Sequence, residues 1–203
     1  MGLYVWTSAL KKAYLWAWDY EYSYTFKWKT ASQIGSERTT QVWTIAVNTN
    51  GLTWTSGSDV LVTKSIPSLT NAKKIIITST IVGQSVTNTA GLTGVNKGTW
   101  WGTGDLGYAV YWSQFGGMRV AIYYNWASSQ WNVVWNATGT TYNTTLTIDL
   151  VAKTATWVIS WFSDSILTLT DAQITDIKTY EYLRCYVSTV YSTISSVSIK
   201  IEY

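Results

Sequence analysis

The residues best suited to bind a ligand are tryptophans that lie in glycine-rich or polar stretches of the sequence. Trp100 and Trp101 stand between glycines, with Asp105 shortly after them, and Trp126 and Trp131 lie in a second stretch rich in Asn and Ser. A flat indole face stacks on a sugar ring, and a neighbouring carboxylate or amide can hydrogen-bond the sugar hydroxyls. These five residues are therefore candidates for a glycan-binding site.

The same tryptophans also have a structural interpretation. The chain has 14 tryptophans, so most of them must pack in the core. Alternating patterns assign four of them there: Trp43, Trp112, Trp135 and Trp157. Aromatic residues are also enriched where subunits of an oligomer meet. For Trp100 and Trp101 we rank local packing or a homo-oligomer interface ahead of glycan stacking, and both interpretations stay open.

Catalytic arrangements have little support in the sequence. Asp19 and Glu21 lie two apart on one strand face, as the carboxylates of some glycoside hydrolases do, but Ser23 stands where a third acid would follow. We therefore expect a solvated strand face and no enzyme. The chain contains no histidine, so Cys185 has no base to activate it and is expected to be a buried, inert thiol. No zinc site, other metal site or cofactor is expected.

The composition favours an all-β protein with a weakly charged surface. In 203 residues there are 15 tyrosines and 14 tryptophans, charged residues make up only 12%, and the net charge is +3. Tyr, Trp, Thr, Val and Ile fit a pleated, half-buried surface. The charge is too small and too dispersed to predict nucleic-acid binding. No apolar stretch approaches the roughly 20 residues that a membrane helix needs, so no membrane insertion is expected.

Period-two alternation runs along most of the chain. Residues 19–29 alternate strictly and predict one long strand, with Tyr20, Tyr22, Tyr24, Phe26 and Trp28 on one face. Residues 30–40 are polar and predict a turn. Asn50-Gly51 predicts a tight hairpin, and the β-branched residues 73–82 predict a central strand.

Three further segments complete the prediction. The only proline, Pro67, predicts a connection between strands, and the glycine-rich residues 89–107 predict the longest irregular stretch. Residues 171–178 predict a short helix capped by Thr170 or Asp171, with Ile174 and Ile177 on one side. About a dozen strands with short turns indicate an antiparallel β-sandwich or jelly roll.

Two parts of the chain resemble known proteins. The opening segment of residues 9–15, which leads into residues 22–26, resembles N-terminal modules of bacteriophage tail and virion structural proteins. Residues 144–157, 183–188 and 196–202 resemble strands of the concanavalin-like, or laminin-G-like, jelly roll. The resemblance implies an attachment hairpin at residues 1–18 and a jelly-roll body at residues 19–203. It also implies a virion surface or tail-associated protein, without a defined activity.

The hairpin is predicted from two similar aromatic triplets that flank a basic pair. A two-stranded hairpin is marginal alone in water, so its exposed aromatic side chains need a partner surface. The residues expected to form this attachment surface are Tyr4, Trp6, Lys11, Lys12, Tyr14 and Trp16.

These observations lead to two functional hypotheses. The first is a non-enzymatic structural component of a phage-like virion: a tail-associated, fibre or capsid-decorating protein that contacts other virion proteins or copies of itself. The alternative is a carbohydrate-binding or host-adhesion module that uses the loop tryptophans. No secretion signal is recognisable, so the expected location is the virion, after synthesis in the host cytoplasm.

Overall fold

The computed structural model describes residues 19–37, 39–40, 45–53, 60–83, 90–97, 105–113, 117–124, 127–134, 141–159, 162–188 and 192–203. Within these ranges the chain forms fifteen strands and two short helices. The first strands and the first helix are β1 (Tyr20–Thr25), α1 (Ala31–Glu37), β2 (Thr39–Thr40), β3 (Ala46–Asn48), β4 (Gly51–Thr53), β5 (Val60–Ser65) and β6 (Lys74–Gly83). The middle of the chain forms β7 (Ala90–Asn96), β8 (Asp105–Ser113), β9 (Gly117–Tyr124), β10 (Ala127–Val134) and β11 (Thr141–Asp149). The last elements are β12 (Thr154–Ile159), β13 (Phe162–Thr168), α2 (Asp171–Ile177), β14 (Tyr182–Ser188) and β15 (Ser192–Glu202).

The described strands form two antiparallel sheets. One has eight strands in the order β13-β12-β11-β6-β15-β4-β3, with β1 also paired to β15. The other has seven strands in the order β10-β9-β8-β7-β14-β5-β2. The fold class predicted from the sequence, an antiparallel jelly-roll sandwich, is therefore confirmed.

The core lies between the two sheets. Strand β15 buries Val197, Ile199 and Ile201 and turns Ser198 and Lys200 outward, which is the alternation that a half-buried strand requires. Opposite them, the seven-stranded sheet contributes the buried side chains of Val62, Val95, Leu183, Cys185 and Val187. Each fully buried aliphatic side chain contributes about 1.5–3 kcal/mol to folding. Cys185 is a buried free thiol, as predicted.

Several local predictions are confirmed. Asn48 and Gly51 close the hairpin of β3 and β4, and the Asn48 side-chain oxygen accepts hydrogen bonds from the backbone N–H groups of Asn50 and Gly51. The predicted central strand is β6, which pairs with β11 on one side and β15 on the other. Helix α2 has Thr170 as its N-cap and buries Ile174 and Ile177.

The predicted strand over residues 19–29 is too long. Strand β1 ends at Thr25, and Phe26 is buried with its backbone N–H bonded to the carbonyl of Ser195. The chain then turns through Trp28, which has a φ of 66° and is 74% exposed, so its side chain does not join the half-buried tyrosine face. Lys27 places its ammonium 5.3 Å from the centre of the Trp28 ring.

Two segments predicted to be irregular are regular. Residues 31–37 form α1, because Thr30 and Gln33 make a capping box: the Gln33 N–H donates to the Thr30 hydroxyl, and the Gln33 amide oxygen accepts from the Thr30 N–H. Within the glycine-rich stretch, residues 90–96 form β7. Glycine tolerates a strand where the backbone of a neighbouring strand supplies the hydrogen bonds, and β7 lies between β14 and β8.

The predicted core tryptophans are only partly covered by the described residues. Trp157 is 1% exposed and packs in the core, as predicted. Trp43 and Trp135 lie outside the described residues, and only the backbone of Trp112, in β8, is described. In the parts of the chain that the structure describes, no helix is long and apolar enough to cross a membrane.

Candidate functional site

The seven-stranded sheet has an inner face in the core and an outer face that points away from it. On β14, Leu183, Cys185 and Val187 belong to the core cluster, whereas Arg184 and Tyr186 alternate with them and do not. Because directly paired residues of antiparallel strands share a face, Arg184 and Tyr186 identify the outer-face positions of every neighbouring strand.

The outer face carries buried polar side chains, which we call the floor of the site: Thr63, Arg184 and Tyr186. Arg184 is paired with Thr63 on one side and Gly94 on the other, and Gly94 is paired in turn with Gly107. Arg184 is 1% exposed and Thr63 is fully buried. The guanidinium carbon of Arg184 lies 5.7 Å from the centre of the Tyr186 ring. A charged side chain is thus held in a fixed place on the face of the sheet opposite the apolar core.

One end of this face is a row of four residues on four adjacent strands, which we call the Asp105 row. Its members are Ser65, Tyr182, Asn96 and Asp105. The row is locked by the backbone, because the Ile66 N–H donates to the Glu181 carbonyl at 2.9 Å and the Glu181 N–H donates to the Asn96 carbonyl at 3.0 Å. Of the row's residues, Ser65 is exposed and Tyr182 is half-buried, whereas Asn96 is only 2% exposed. Hydroxyl groups such as those of Ser and Tyr hydrogen-bond well to polyols.

Helix α2 closes the same end of the sheet. Its capping box joins Thr170 and Gln173, and the Tyr180 hydroxyl just beyond the helix donates to the Asp176 carboxylate at 3.0 Å. The other oxygen of Asp176 lies 3.7 Å from the Lys97 ammonium, directly after β7. The helix is thereby tied to the strand that contains Asn96.

A groove of about 500 Å³ lies between the Asp105 row and the end of α2. Ser65 and Tyr182 belong to both the row and the groove. The opposite wall includes Ser68, Thr70, Lys178 and Thr179. Six of the nine residues that line the groove carry a hydroxyl group, and the groove shares Ser65 and Tyr182 with one end of the row.

The predicted glycan-binding residues fall on this face or on segments that begin at the Asp105 row. Asp105 is the first residue of β8 and a member of the row. Trp131 occupies an outer-face position in β10. The register relates it to Tyr186 across the sheet through the paired residues Ala121, Ala109 and Leu92. The side chains of Asp105 and Trp131 are outside the described set. Their register puts them on one face.

The other three tryptophans lie outside the described residues, but the chain around them is described. Trp100 and Trp101 belong to the segment that leaves the sheet at Lys97 and rejoins it at Asp105. Trp126 belongs to the link between Tyr124 and Ala127, and Tyr124 is paired with Leu106, next to Asp105. Both segments start from the end of the sheet that carries the Asp105 row.

Comparison with solved structures decides the fold. The chain superposes on peanut lectin with a nine-residue peptide at a TM-score of 0.63 and 13% identity, covering 91% of this chain and 98% of the lectin. It superposes on winged bean acidic lectin with methyl-α-D-galactose at 0.59 and 12%, covering 91% and 99%. The fold is that of the legume lectins.

A phage protein shares the lectin-like sandwich. The carbohydrate-binding CBM2 module of the evolved Dit protein of Lactobacillus casei BL23 phage J-1 matches at a TM-score of 0.52 and 8% identity, over 70% of each chain. The sequence matches no protein-family model and no curated protein. At these identities the structural likeness establishes the shared fold.

The two carboxylates weighed for catalysis lie on the opposite sheet of the lectin-like sandwich. Asp19 and Glu21 both approach Lys200, with oxygen-to-nitrogen distances of 3.2 and 3.9 Å, and Glu202 approaches the same ammonium at 3.2 Å. The hydrogen-bonded carboxylates of Glu202 and Asp19 raise the pKa of Lys200. These acids surround a lysine on the outer surface of the eight-stranded sheet, and the Asp105 row belongs to the other sheet.

The attachment residues predicted from the sequence, Tyr4, Trp6, Lys11, Lys12, Tyr14 and Trp16, all lie outside the described residues. The chain that follows them enters the sandwich at Asp19, beside the eight-stranded sheet. Among the described residues, no group of three or more His, Cys, Asp or Glu side chains could hold a metal ion.

Four residues at this site have only a weak signal in the sequence. Arg184 and Tyr186 lie in a run that reads as an apolar buried strand, and Tyr182 and Asn96 lie at strand ends. Only the alternation of Arg184 and Tyr186 with Leu183, Cys185 and Val187 points to a second, polar face. This alternation identifies the outer-face residues of the neighbouring strands only once the strand pairing is known.

Proposed function

We propose that the protein is a non-catalytic carbohydrate-binding module, and that it binds glycan on the outer face of the seven-stranded sheet at the Asp105 row. The observation that supports this most is the register of that sheet. It puts Asp105 and Trp131 on one face, and both Trp-bearing segments start from the end of the sheet that carries the Asp105 row.

The chemistry of the residues fits a sugar. Sugar rings have an apolar face that packs on aromatic rings and a rim of hydroxyls that needs donors and acceptors. In the Asp105 row, Ser65 and Tyr182 carry hydroxyl groups and Asp105 is an acid, which are residue types that can hydrogen-bond the sugar hydroxyls, and tryptophan side chains have flat apolar surfaces. A largely preformed, concave site with a few oriented polar groups is typical of small-molecule recognition.

The structural neighbours support the same function. One of them is a lectin solved with methyl-α-D-galactose, and another is a carbohydrate-binding module of a phage protein. Both share the sandwich with this chain, and both names refer to sugar binding. Galactose is therefore a reasonable first probe.

A glycan panel tests the proposal. The purified protein is applied to a panel of galactose-, glucose- and N-acetylglucosamine-terminated glycans, and the affinity for any retained glycan is then measured by calorimetry. Trp131→Ala and Asp105→Asn should each weaken binding about tenfold or more, because a residue at the centre of a binding site often contributes about 2 kcal/mol.

Trp28→Ala is the matched control, because Trp28 is exposed on the chain after β1 and belongs to neither the row nor the seven-stranded sheet. It should bind glycan as the wild type does. A folded protein that retains no glycan on the panel would overturn the proposal, as would equal losses in Trp28→Ala and Trp131→Ala.

A second candidate function is that of a virion structural component, with the glycan site as its host-contacting surface. The similarity to the module of a phage Dit protein favours it. In this proposal residues 1–18 attach the protein to other virion proteins or to its own copies. Partner capture from purified virions by the full chain, and its loss in a Trp6→Ala, Trp16→Ala double variant that still binds glycan, would support this role. If the full chain and the double variant capture the virion partner equally, residues 1–18 do not attach the protein.

A further inference from the structure

We propose that the turn carrying Trp28 docks into a groove on a second copy of this chain, so that the protein forms a homodimer. The docking element is residues 26–30, which we call the Trp28 turn. The receiving surface is a groove of about 340 Å³ on the outer face of the eight-stranded sheet, which we call the Lys200 groove. This contact goes beyond glycan binding, because neither part belongs to the seven-stranded sheet.

Trp28 is presented to solvent in an unusual way. Its side chain is 74% exposed, the highest value among the large apolar side chains that the structure describes. Its φ of 66° is a left-handed conformation that bulky residues rarely adopt and that glycine adopts without strain. An indole that is both exposed and held on a strained backbone adds little to the packing of its own chain. It is better suited to contact another molecule.

The backbone of the Trp28 turn is held in place on both sides of the tryptophan. Phe26 is fully buried, and its N–H and that of Lys27 donate to the Ser195 carbonyl at 2.8 and 3.3 Å. The Lys29 N–H donates to the Phe26 carbonyl at 3.2 Å. An anchor that is already ordered loses little conformational entropy on binding, and tryptophan is enriched among the residues that dominate interface energies.

The Lys200 groove has the chemistry to receive an indole. Two neighbouring rows across β1, β15 and β6 line it: Glu21, Lys200 and Ile76 in one, and Ser23, Ser198 and Thr78 in the other. The half-buried Ile76 provides apolar surface, and Ser23 and Glu21 provide acceptors for the indole N–H, which is a donor only. Trp28 does not line the groove of its own chain, so the tryptophan that fills it must come from another copy.

The charge beside the groove is negative. Three carboxylates approach the Lys200 ammonium: Asp19 and Glu202 at 3.2 Å and Glu21 at 3.9 Å. One ammonium therefore faces three acids. The next lysine on this face, Lys74, lies 3.4 Å from the Asp149 carboxylate and is matched by it. A cation that arrives at the groove with the indole would be attracted there.

The Trp28 turn supplies such a cation. Lys29 is matched by Glu37, with 2.9 Å between the ammonium and a carboxylate oxygen. Lys27 is exposed, and within the described chain its ammonium lies over the Trp28 ring at 5.3 Å from the ring centre. Trp28 and Lys27 thus present an apolar ring and a positive charge together, which complements the Lys200 groove.

The size of the contact predicts a weak dimer. In a two-fold symmetric pair each copy contributes one turn and one groove, so the contact is made twice. A tryptophan buries about 150–250 Å², and two of them bury less than the roughly 800 Å² per partner of a standard stable interface. We therefore expect a dissociation constant in the micromolar range.

Sedimentation of the full chain from about 1 to 100 μM tests the dimer, and its mass should rise from one chain toward two. Trp28→Gly should weaken the dimer about tenfold or more. Because glycine fits the local φ, this variant should unfold, as dilute protein, at the same or a higher urea concentration than the wild type. Val151→Ala is the matched control, since Val151 is 71% exposed in the turn after β11, and it should dimerise as the wild type does.

A charge exchange tests whether the Lys200 groove is the receiving surface. Lys27→Glu and Glu21→Lys each place like charges against each other and should each weaken the dimer about fivefold or more. The double variant restores opposite charges and should dimerise within about twofold of the wild type. If the double variant is weakened by the product of the two single effects, the turn does not dock at Glu21.

The remaining outcomes separate this proposal from glycan binding. A wild type that stays monomeric up to about 100 μM would overturn the dimer, and undiminished dimerisation of Trp28→Gly would show that another surface forms it. Earlier urea unfolding of Trp28→Gly would show that Trp28 serves the fold of its own chain. Glycan affinity per site, measured by calorimetry, should be the same in Trp28→Gly and the wild type, so the proposed function stands or falls independently.

Discussion

The guanidinium of Arg184 lies over the ring of Tyr186, two residues further along the same strand, with 5.7 Å between its central carbon and the ring centre. Both side chains are buried on the outer face of the seven-stranded sheet. A desolvated cation over an aromatic ring contributes about 2 kcal/mol. Arg184 and Tyr186 therefore stabilise the floor of the candidate site as a pair.

We expect this pair to show a coupling energy of about 1–2 kcal/mol in a double-mutant cycle built from Arg184→Met and Tyr186→Leu. The free energy of unfolding of the wild type, both single variants and the double variant is measured in urea. If the losses of unfolding free energy in the two single variants add up to the loss in the double variant within about 0.5 kcal/mol, the interaction between the Tyr186 ring and the Arg184 guanidinium is not stabilising.

Gly51 cannot be replaced without strain. It closes the hairpin of β3 and β4 with a φ of 136°, and a β-carbon there would collide with the backbone carbonyl oxygen of Ile194 in β15. Gly51→Ala should lower the free energy of unfolding by about 1–3 kcal/mol or more.

Gly35 provides the opposite case. It lies inside α1, and a β-carbon would meet the Ile45 side chain at 3.6 Å, an ordinary contact. Gly35→Ala should raise the free energy of unfolding by about 0.5–1 kcal/mol. Thermal unfolding of the two variants should therefore shift in opposite directions, and equal shifts would contradict the assigned backbone geometry.

Each helix of the described chain begins with the same capping box, formed by Thr30 with Gln33 and by Thr170 with Gln173. Thr170→Ala should cost about 1 kcal/mol of stability, because it leaves the Gln173 N–H without its acceptor. Thr175→Ala, an exposed position inside the same helix, should instead gain about 0.5 kcal/mol from the higher helix propensity of alanine. Chemical denaturation of both variants tests the pair, and a loss in Thr175→Ala equal to that in Thr170→Ala would contradict the capping role.

Stability should depend on pH through Asp149. The Asp149 carboxylate accepts a hydrogen bond from the backbone N–H of Ala152 at 2.8 Å, which lowers its pKa, and the N–H of Val151 and the ammonium of Lys74 act in the same direction. Because the pKa is lower in the folded state, the carboxylate stabilises the protein above the unfolded-state pKa of about 3.9. That contribution is lost as the pH falls through the folded-state value.

Asp149→Asn keeps an oxygen that can accept the turn hydrogen bonds but removes the titrating charge. The gap in unfolding free energy between wild type and variant should therefore be largest at neutral pH and shrink below a pH of about 4. Denaturation curves at several pH values provide the measurement. Parallel curves for the two proteins down to acid pH would show that Asp149 does not contribute to the acid sensitivity.

The alternation of apolar and polar residues predicted the sandwich, because one face of its eight-stranded sheet is exposed to solvent. Along β11 and β15, buried residues such as Leu146 and Ile199 alternate with Thr145 and Ser198, and that pattern is visible in the sequence. Helix α1 is too short and polar for such a pattern. Its only sequence signal is the capping box, the Thr-x-x-Gln spacing that α2 repeats.

The candidate site is harder to predict, because it depends on pairing between distant strands. Glycine-rich residues 90–96 predict a loop when considered alone, whereas Gly94 pairs with Arg184 across ninety positions of sequence. Strand β14 is buried on both faces, so in the sequence only the alternation of Arg184 and Tyr186 with apolar residues separates the outer face from the core face that contains Cys185. Residue type alone identified Trp and Asp residues as candidates for binding a sugar. Only the register of the strands shows that Asp105 and Trp131 occupy the same face.

The antiparallel pairing of β1 with the end of β15 has a mechanical consequence. Tyr20 is paired with Ile201, so Asp19 and Tyr203 lie side by side at one end of the sheet. Force applied between those two residues would open the β1–β15 ladder one pair at a time. Force applied in opposite directions to Asp19 and to the Ser192 end of β15 would instead act along both strands and load all six pairs together. The β1–β15 pairing therefore resists a force along the strands better than a force that separates the two strands from one end.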